Sequence, residues 1–418
     1  MKVKQLKINS FRGIRDLTLD FDLKEPTVLI GINGVGKSSV LDCLAILLSW
    51  FTARVQNLQG SGSYFLDSDI NYKDKEAHNE ITVNTLDFQD VTWSLTKVKK
   101  GHGKNTSSDL VRLRELIKNI HKKNQIDDQI SLPLAVYYPT NRAVLDVPLR
   151  IKKKHLFDPI NAYDLALAKE AIDFRRFFEW FRNREDLENE NYRYNQESED
   201  QQLETVRKAI YQMLPGFLNL RVQRSPLRMT LEKEEQQLVV NQLSSGEKCL
   251  LAMVGDLARR LAIANPNCQN ALQGDAIVLI DEIELHLHPA WQRDIIPALK
   301  RTFPNCQFII TTHSPQVLSH IKSENIYLLE SFNAEIVARK PQSSFGRDSN
   351  SILEDIMGVS ERPQEIKKDI LKLFQLIDEG KLNNAQQLRQ EIVNKIGSDE
   401  PELIKAATSI RRREILNS

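Results

Sequence analysis

The sequence predicts an α/β fold built around a mostly parallel sheet, and two patterns carry the prediction. Residues 27–31 form a short, fully apolar run. It leads through GINGVGKS (31–38) into a segment whose apolar residues Val40, Leu44, Leu47, Leu48, Phe51 and Val55 recur at helical spacing. Far downstream a second apolar run, Ile277, Val278, Leu279 and Ile280, ends in the acidic pair Asp281 and Glu282. Strands that are apolar on both faces belong to buried parallel sheets, and a strand, glycine loop and helix in succession form the unit that wraps a phosphate chain.

The first elements are an antiparallel opening. Residues 3–8 and 17–23 alternate in polarity like half-buried strands and are joined by the turn-like Ser10, Phe11, Arg12 and Gly13. After the glycine loop and its helix, residues 80–86 and 91–98 alternate again, and KVKKGHGKNTSSD (97–109) reads as a mobile polar loop. Residues 111–120 have helical spacing, and 133–138 read as a buried strand that closes a first lobe at about residue 150. Residues 151–215 are rich in Glu, Asn, Arg and aromatic side chains (Phe174, Phe177, Phe178, Trp180, Phe181) and predict a helical insertion. Its polar part, 182–202, reads as an exposed arm. A second lobe is expected over 216–340. A helical tail follows over 341–418, with Pro363 and the basic run Arg411, Arg412 and Arg413.

Composition bounds the function. The 418 residues suffice for a sizeable core, and 57 Lys plus Arg against 56 Asp plus Glu leave no global field to draw the chain to nucleic acid or an anionic membrane. Residues 1–13 lack the apolar core of a secretory signal, and the longest apolar stretch, 41–51, is interrupted by Asp42 and Ser49. It falls short of the ~20 residues needed to cross a bilayer, so no membrane partner is expected. Cys43, Cys249 and Cys306 sit in apolar patterns, no cysteine pair has metal-ligand spacing, and the expected compartment is the reducing cytoplasm.

The chemistry lies in four short segments. In GINGVGKS the glycines allow backbone N–H groups to turn toward phosphates, so Asn33, Gly34, Val35, Gly36, Lys37, Ser38 and Ser39 are candidate ATP-binding residues. Lys37 would reach the β- and γ-phosphates, and the Ser38 hydroxyl would ligate Mg2+. Asp281 would hold the magnesium through water, and Glu282 would orient or deprotonate the attacking water. LSSGEK (243–248) opens a helix with Leu250, Leu251, Val254, Leu257 and Leu261 on one face. Ser244, Ser245, Gly246 and Glu247 there are either an ordinary N-cap or a second anion site. Finally, an apolar strand over 308–310 leads into Thr312, His313 and Ser314.

The order of these segments resembles the ABC ATPase superfamily. The resemblance implies a head-to-tail homodimer or higher oligomer, in which the LSSGEK helix of one subunit caps the γ-phosphate held by the other's P-loop. ELHLHP (284–289) would be the D-loop and His313 the switch histidine at the γ-phosphate. His286 and His288 as metal ligands are disfavoured by their i, i+2 spacing with no cysteine nearby. No glutamine matches the superfamily's Q-loop. Asp69, in SYFLDSDINY, is its substitute and a candidate metal-side residue. Ser245, where transporter signatures have glycine, and the opening FRG, with Arg12 approaching the nucleotide, look like the RecF/SMC/OLD branch. The insertion is too short for an SMC coiled coil, and the tail lacks the acidic cluster of an OLD nuclease.

Further segments, YYPTNRAVLDVPLRI (137–151), FRRFFEWFRNREDLENE (174–190) and GRDSNSILEDIMGVSERP (346–363), resemble the PtuA family, the ATPases of Septu-type and some retron-associated anti-phage systems. That resemblance implies an HNH nuclease partner, PtuB-like, which would cut in trans and dock on the tail or the insertion. Two alternatives stay open: a RecF-like DNA-repair clamp without a nuclease partner, and an ATP-gated scaffold with negligible turnover. Lys97, Lys99, Lys100 and Lys104, and separately Lys152, Lys153 and Lys154, are either DNA contacts or solvated loop residues.

Overall fold

The computed structural model describes residues 1–85, 89–103, 106–126, 131–142, 157–169, 172–194, 199–333 and 335–417. Lys104, Lys152, Lys153, Lys154 and the first residues of the expected insertion lie outside them. Along the chain, β1 (Lys2–Phe11), β2 (Ile14–Asp20) and β3 (Thr27–Ile30) precede the long helix α1 (Lys37–Gln56). Next come β4 (Glu76–Asn84), β5 (Asp90–Val98), α2 (Val111–Ile126) and β6 (Leu134–Tyr138), then α3 (Phe174–Tyr194) and α4 (Gln201–Met213). A meander of β7 (Phe217–Arg224), β8 (Leu227–Lys233) and β9 (Gln236–Val239) leads to α5 (Ser245–Ala264), β10 (Ala276–Ile280), α6 (Pro289–Thr302), β11 (Cys306–Thr311) and α7 (Pro315–Leu318). The hairpin of β12 (Ile326–Phe332) and β13 (Glu335–Arg339) is followed by α8 (Ser349–Asp355), α9 (Gln364–Asp378), α10 (Leu382–Ile396) and α11 (Pro401–Asn417).

Two sheets enclose α1. The larger has the order β13-β12-β3-β11-β10-β6, parallel except for β13, and the smaller is the antiparallel β2-β1-β4-β5. α1 touches β1 and β4 on one side and β6, β10 and β11 on the other, which explains why a helix with so many large apolar residues is almost wholly buried. At 20 residues it is the one described helix long and apolar enough to cross a membrane, longer than the interrupted 41–51 run suggested. Its burial between the sheets makes it a core helix. The all-apolar β10, Ala276–Ile280, is buried at every residue between β11 and β6. Each Leu, Ile or Val so buried contributes roughly 1.5–3 kcal/mol, so these short strands anchor the sheet whose edge carries the chemistry.

Within the expected insertion the described residues include the helices α3 and α4, and the polar half of α3 is exposed at Asn183, Asp186, Leu187 and 189–193 but anchored at Glu185. Phe174, Phe177, Phe178, Trp180 and Phe181 are all buried, and α3 approaches α5 so closely that a Cβ on Gly255 would lie 2.9 Å from the Phe177 ring. Farther along α3, the buried Glu185 accepts the Val222 N–H and pairs with Arg224 at 2.6 Å, while Arg184 pairs with Asp200 at 2.8 Å. Burial raises the Glu185 pKa, and the bonds from Arg224 and Val222 offset only part of that rise. Ion pairs with α4 and β7 therefore engage Arg184 and Glu185, while residues 189–193 are exposed.

The chain divides into two compact units, Met1–Arg347 and Asp348–Ser418. Residues 341–347 belong to the first: Ser344 is buried and donates to the Ile321 carbonyl, and the Gly346 N–H donates to Ser319. The second unit packs α9, α10 and α11 around Ile370, Leu373, Ile377, Ala385, Ile392, Leu403, Ala406 and Ile410. Arg413 of the basic run pairs there with Asp378 at 2.8 Å.

Candidate functional site

Parallel register sets the site. Ile280 of β10 lies opposite Ile310 of β11 and Tyr138 of β6, and Thr311 lies opposite Leu29 of β3. The residues after these strands therefore emerge together at the carboxyl edge, where open α/β sheets bind ligands. Residues 31–38 form the loop from β3 to α1, with Gly31, Gly34 and Gly36 at φ 144°, 79° and 105°, conformations that L side chains rarely adopt. Any Cβ on Gly31 would also lie 2.4 Å from the Leu329 carbonyl oxygen. Asn33 and Gly34 are exposed, Val35 is buried against the body, and Ser38 is exposed on the first turn of α1 with Ser39 beside it half-buried.

Lys37 lies back over this loop, its ammonium donating to the Gly31 carbonyl at 2.9 Å and the Ile32 carbonyl at 3.1 Å. Burial lowers its pKa, opposed by the negative charges of Asp281, Glu282 and Glu284. Those three carboxylates and the ammonium thus share one electrostatic environment, although 245 residues of sequence separate Lys37 from Glu282 (282 − 37). The start of α1 carries no side-chain cap and no acidic residue in its first turn. Its amides, the glycine cradle, the Lys37 donors, the Ser38 hydroxyl and Asp281 make a donor set that fits a magnesium nucleotide.

At the end of β10, Asp281 is buried and accepts a hydrogen bond from the Thr311 hydroxyl at 2.5 Å. The same hydroxyl accepts the Glu282 N–H at 2.7 Å. Glu282 has φ 48°, a left-handed backbone uncommon for a residue with a side chain, and its side chain is half-buried. Glu284 reaches across to the next strand end, accepting from the Thr312 hydroxyl at 2.7 Å and the His313 N–H at 2.6 Å. The half-buried His313 is thereby fixed at its backbone beside the acidic segment, while Ser314 caps α7 and donates to Gln292 at 2.7 Å. The sequence reading gave no role to Thr311 or to Arg142, which donates to the Asp281 and Glu282 carbonyls, and gave Glu284 only a place in the expected D-loop. The signals were present: a threonine ending β11, a carboxylate in ELHLHP, and an arginine in YYPTNR.

At the start of α5, Ser244 and Ser245 are exposed, and a Cβ on the buried Gly246 would lie 2.5 Å from the His286 carbonyl oxygen. Glycine here lets the helix start approach the backbone that follows Glu282. Ser244 and Glu247 form a reciprocal cap: the Ser244 hydroxyl accepts the Glu247 N–H at 3.3 Å and the Glu247 carboxylate accepts the Ser244 N–H at 2.8 Å. Glu247 also pairs with Lys233 at 2.7 Å. Its burial raises its pKa, but the Lys233 and Ser244 bonds more than offset this and hold it below the usual carboxylate range. Glu247 is therefore engaged in holding the helix start, which leaves Ser245 as the exposed hydroxyl beside it.

Arg12 and Asp69 are brought together, but with each other. Arg12 (φ 51°) donates through Nε to Asp69 Oδ1 at 2.9 Å and through Nη1 to Asp42 Oδ2 at 2.6 Å, and Asp69 Oδ2 accepts the Leu66 N–H at 2.9 Å. Asp69 thus braces Arg12, both of its carboxylate oxygens accepting hydrogen bonds. Among the proposed DNA-contacting lysines, Lys97 pairs with Asp67 at 2.9 Å and Lys99 donates to the Asn71 carbonyl at 3.1 Å.

Comparison with known proteins agrees with this geometry. Residues 27–319 match the family model described as "AAA domain, putative AbiEii toxin, Type IV TA system". The "Retron Ec83 probable ATPase" of Escherichia coli is 31% identical, with 99% of this chain and 87% of that protein aligned. The "Retron Vc95 probable ATPase" of Vibrio cholerae is 30% identical over 90% of this chain and 82% of its own length. The "Septu protein PtuA" of Bacillus thuringiensis is 25% identical over 86% of this chain and 85% of its own length. A family match over residues 27–319, and kinship along nearly the whole chain, show that the chain belongs to this AAA-domain family as an ATPase related to the retron ATPases and PtuA.

Proposed function

We propose that the chain hydrolyses ATP at a site shared by two head-to-tail copies, and that its nucleotide state controls a separate HNH nuclease in an anti-phage system. The observation that carries the reading is the convergence of residues 31–38, Asp281, Glu282 and His313 at one sheet edge. The relatives named for retrons and Septu supply the biological setting.

Each residue then has a physical task. Backbone amides of residues 34–38 and the Lys37 ammonium hold the β- and γ-phosphates, and Ser38 and Asp281 hold the magnesium ion. A bound ion would supply positive charge to the phosphate oxygens. Glu282 orients the attacking water and accepts its proton, and the His313 imidazole hydrogen-bonds a γ-phosphate oxygen. Ser245 and the N-terminus of α5 close over the γ-phosphate held by the partner copy, adding a second helix dipole to that of α1.

A Ser245→Arg variant tests the shared site, because a bulky cation at that exposed position would block closure while leaving the P-loop intact. Nucleotide binding by the isolated protein should be retained and turnover should fall by about 100-fold, the scale on which losing preorganised donors acts. Persistent hydrolysis would remove the second copy from the mechanism. Partnership is tested by purifying the tagged chain with the products of its own operon and assaying DNA cleavage with and without ATP. A co-purifying HNH protein with nucleotide-dependent cutting is the expected result. A lone ATPase that binds DNA ends or gaps would point instead to a repair clamp.

A further inference from the structure

The segment YYPTNR has no role in the reading above, yet its last residue is among the most completely enclosed charges in the protein. Arg142 is wholly buried. Its Nη1 donates to the Pro139 carbonyl at 3.1 Å and to the Asp281 carbonyl, and its Nη2 donates to the Glu282 carbonyl at 2.5 Å. Its two terminal nitrogens are satisfied by backbone oxygens rather than by a carboxylate, while its buried Nε has no hydrogen-bond partner among the described residues. The positive charge therefore stays uncancelled by any pairing carboxylate among the described residues and is directed at the peptide groups of two adjacent residues.

Those two peptide groups belong to the proposed metal ligand and the proposed base. Glu282 holds a left-handed backbone (φ 48°), a conformation that costs of order 1–3 kcal/mol and persists only when its surroundings over-determine it. The surroundings supply both sides: Thr311 accepts the Glu282 N–H at 2.7 Å and Arg142 donates to its carbonyl. The Asp281 peptide is gripped in the same way, its N–H donating to Tyr138 at 2.9 Å and its carbonyl accepting from Arg142. We infer that Arg142 is a positioning residue for hydrolysis: it sets the backbone from which the Asp281 and Glu282 carboxylates project, without touching nucleotide itself. A planar fork can serve two successive carbonyls and a third on its own loop, whereas an ammonium has no such fixed geometry. Outer-sphere groups that orient metal ligands commonly act on this scale, with losses of about 10- to 100-fold when removed.

This inference rests on the assignment of Asp281 and Glu282, and the experiment separates the two. Arg142→Met, Arg142→Lys and Glu282→Gln are compared for kcat and KM of ATP hydrolysis. Binding of a fluorescent ATP analogue is measured in parallel, with Mg2+ and with EDTA. Arg142→Met should lose about 10- to 100-fold in kcat with KM nearly unchanged. It should bind the analogue normally in EDTA and lose part of the gain in affinity that Mg2+ confers on the unmodified protein. Arg142→Lys should fall between the two in kcat. Full kcat in Arg142→Met alongside an inactive Glu282→Gln would overturn the role of Arg142 alone, whereas full kcat in Glu282→Gln would overturn the assignment beneath it. Loss of EDTA-phase binding in proportion to kcat, or failure of both Arg142 variants to fold, would reduce Arg142 to a structural clamp and overturn the positioning role.

Discussion

Glu282→Gln should bind ATP with unchanged affinity and lose about 10²- to 10⁴-fold in kcat, the range that a general base contributes. The substitution preserves size and removes the proton acceptor. The backbone that presents the side chain is held through its own N–H and carbonyl by Thr311 and Arg142, so it has no reason to move. A site that binds but does not cleave should also accumulate the closed dimer, visible as a nucleotide-dependent shift in mass by light scattering. Turnover at the unmodified rate would remove Glu282 from the catalytic role, whatever happens to assembly.

Lys37→Ala should raise the Kd for ATP by at least about 100-fold, because charge-assisted hydrogen bonds to phosphate contribute about 1.5–3 kcal/mol each. Burial already lowers the pKa of this ammonium, and it sits among Asp281, Glu282 and Glu284 without a direct ion pair among the described residues. Its bonds are to two loop carbonyls that can be exchanged for phosphate oxygens. Removing it leaves the negative charges of the acidic edge uncompensated, which further disfavours an anionic ligand. The thermal midpoint should change little, since the loop conformation is set by glycines rather than by the lysine. Near-normal affinity measured by calorimetry would show that the loop does not hold the phosphates.

Local chemistry made much of this site legible in advance. A glycine loop between a strand and a helix, and an acidic pair closing an apolar run, each announce themselves in a handful of adjacent residues, because backbone conformation and strand burial are dictated at short range. Hydrophobic period likewise marked α1, α5 and the strands of the larger sheet. The bracing groups escaped notice for the opposite reason. Arg142 meets Glu282 across 140 positions, Glu284 meets the His313 N–H across 29, and Asp69 turns its carboxylate to Arg12 across 57. Glu185 reads as solvated until α3 is seen packed against β7.

The sequence by itself determined which residues could meet phosphate, magnesium and water, since that capacity resides in side-chain chemistry and in the φ values that glycine permits. Only the tertiary structure decided which polar groups are engaged elsewhere, because a carboxylate or guanidinium is committed by whatever donor or acceptor the fold places within about 3 Å of it. By that rule Asp69 and Glu247 became braces, Ser245 was left exposed, and Arg142 became the holder of the acidic turn.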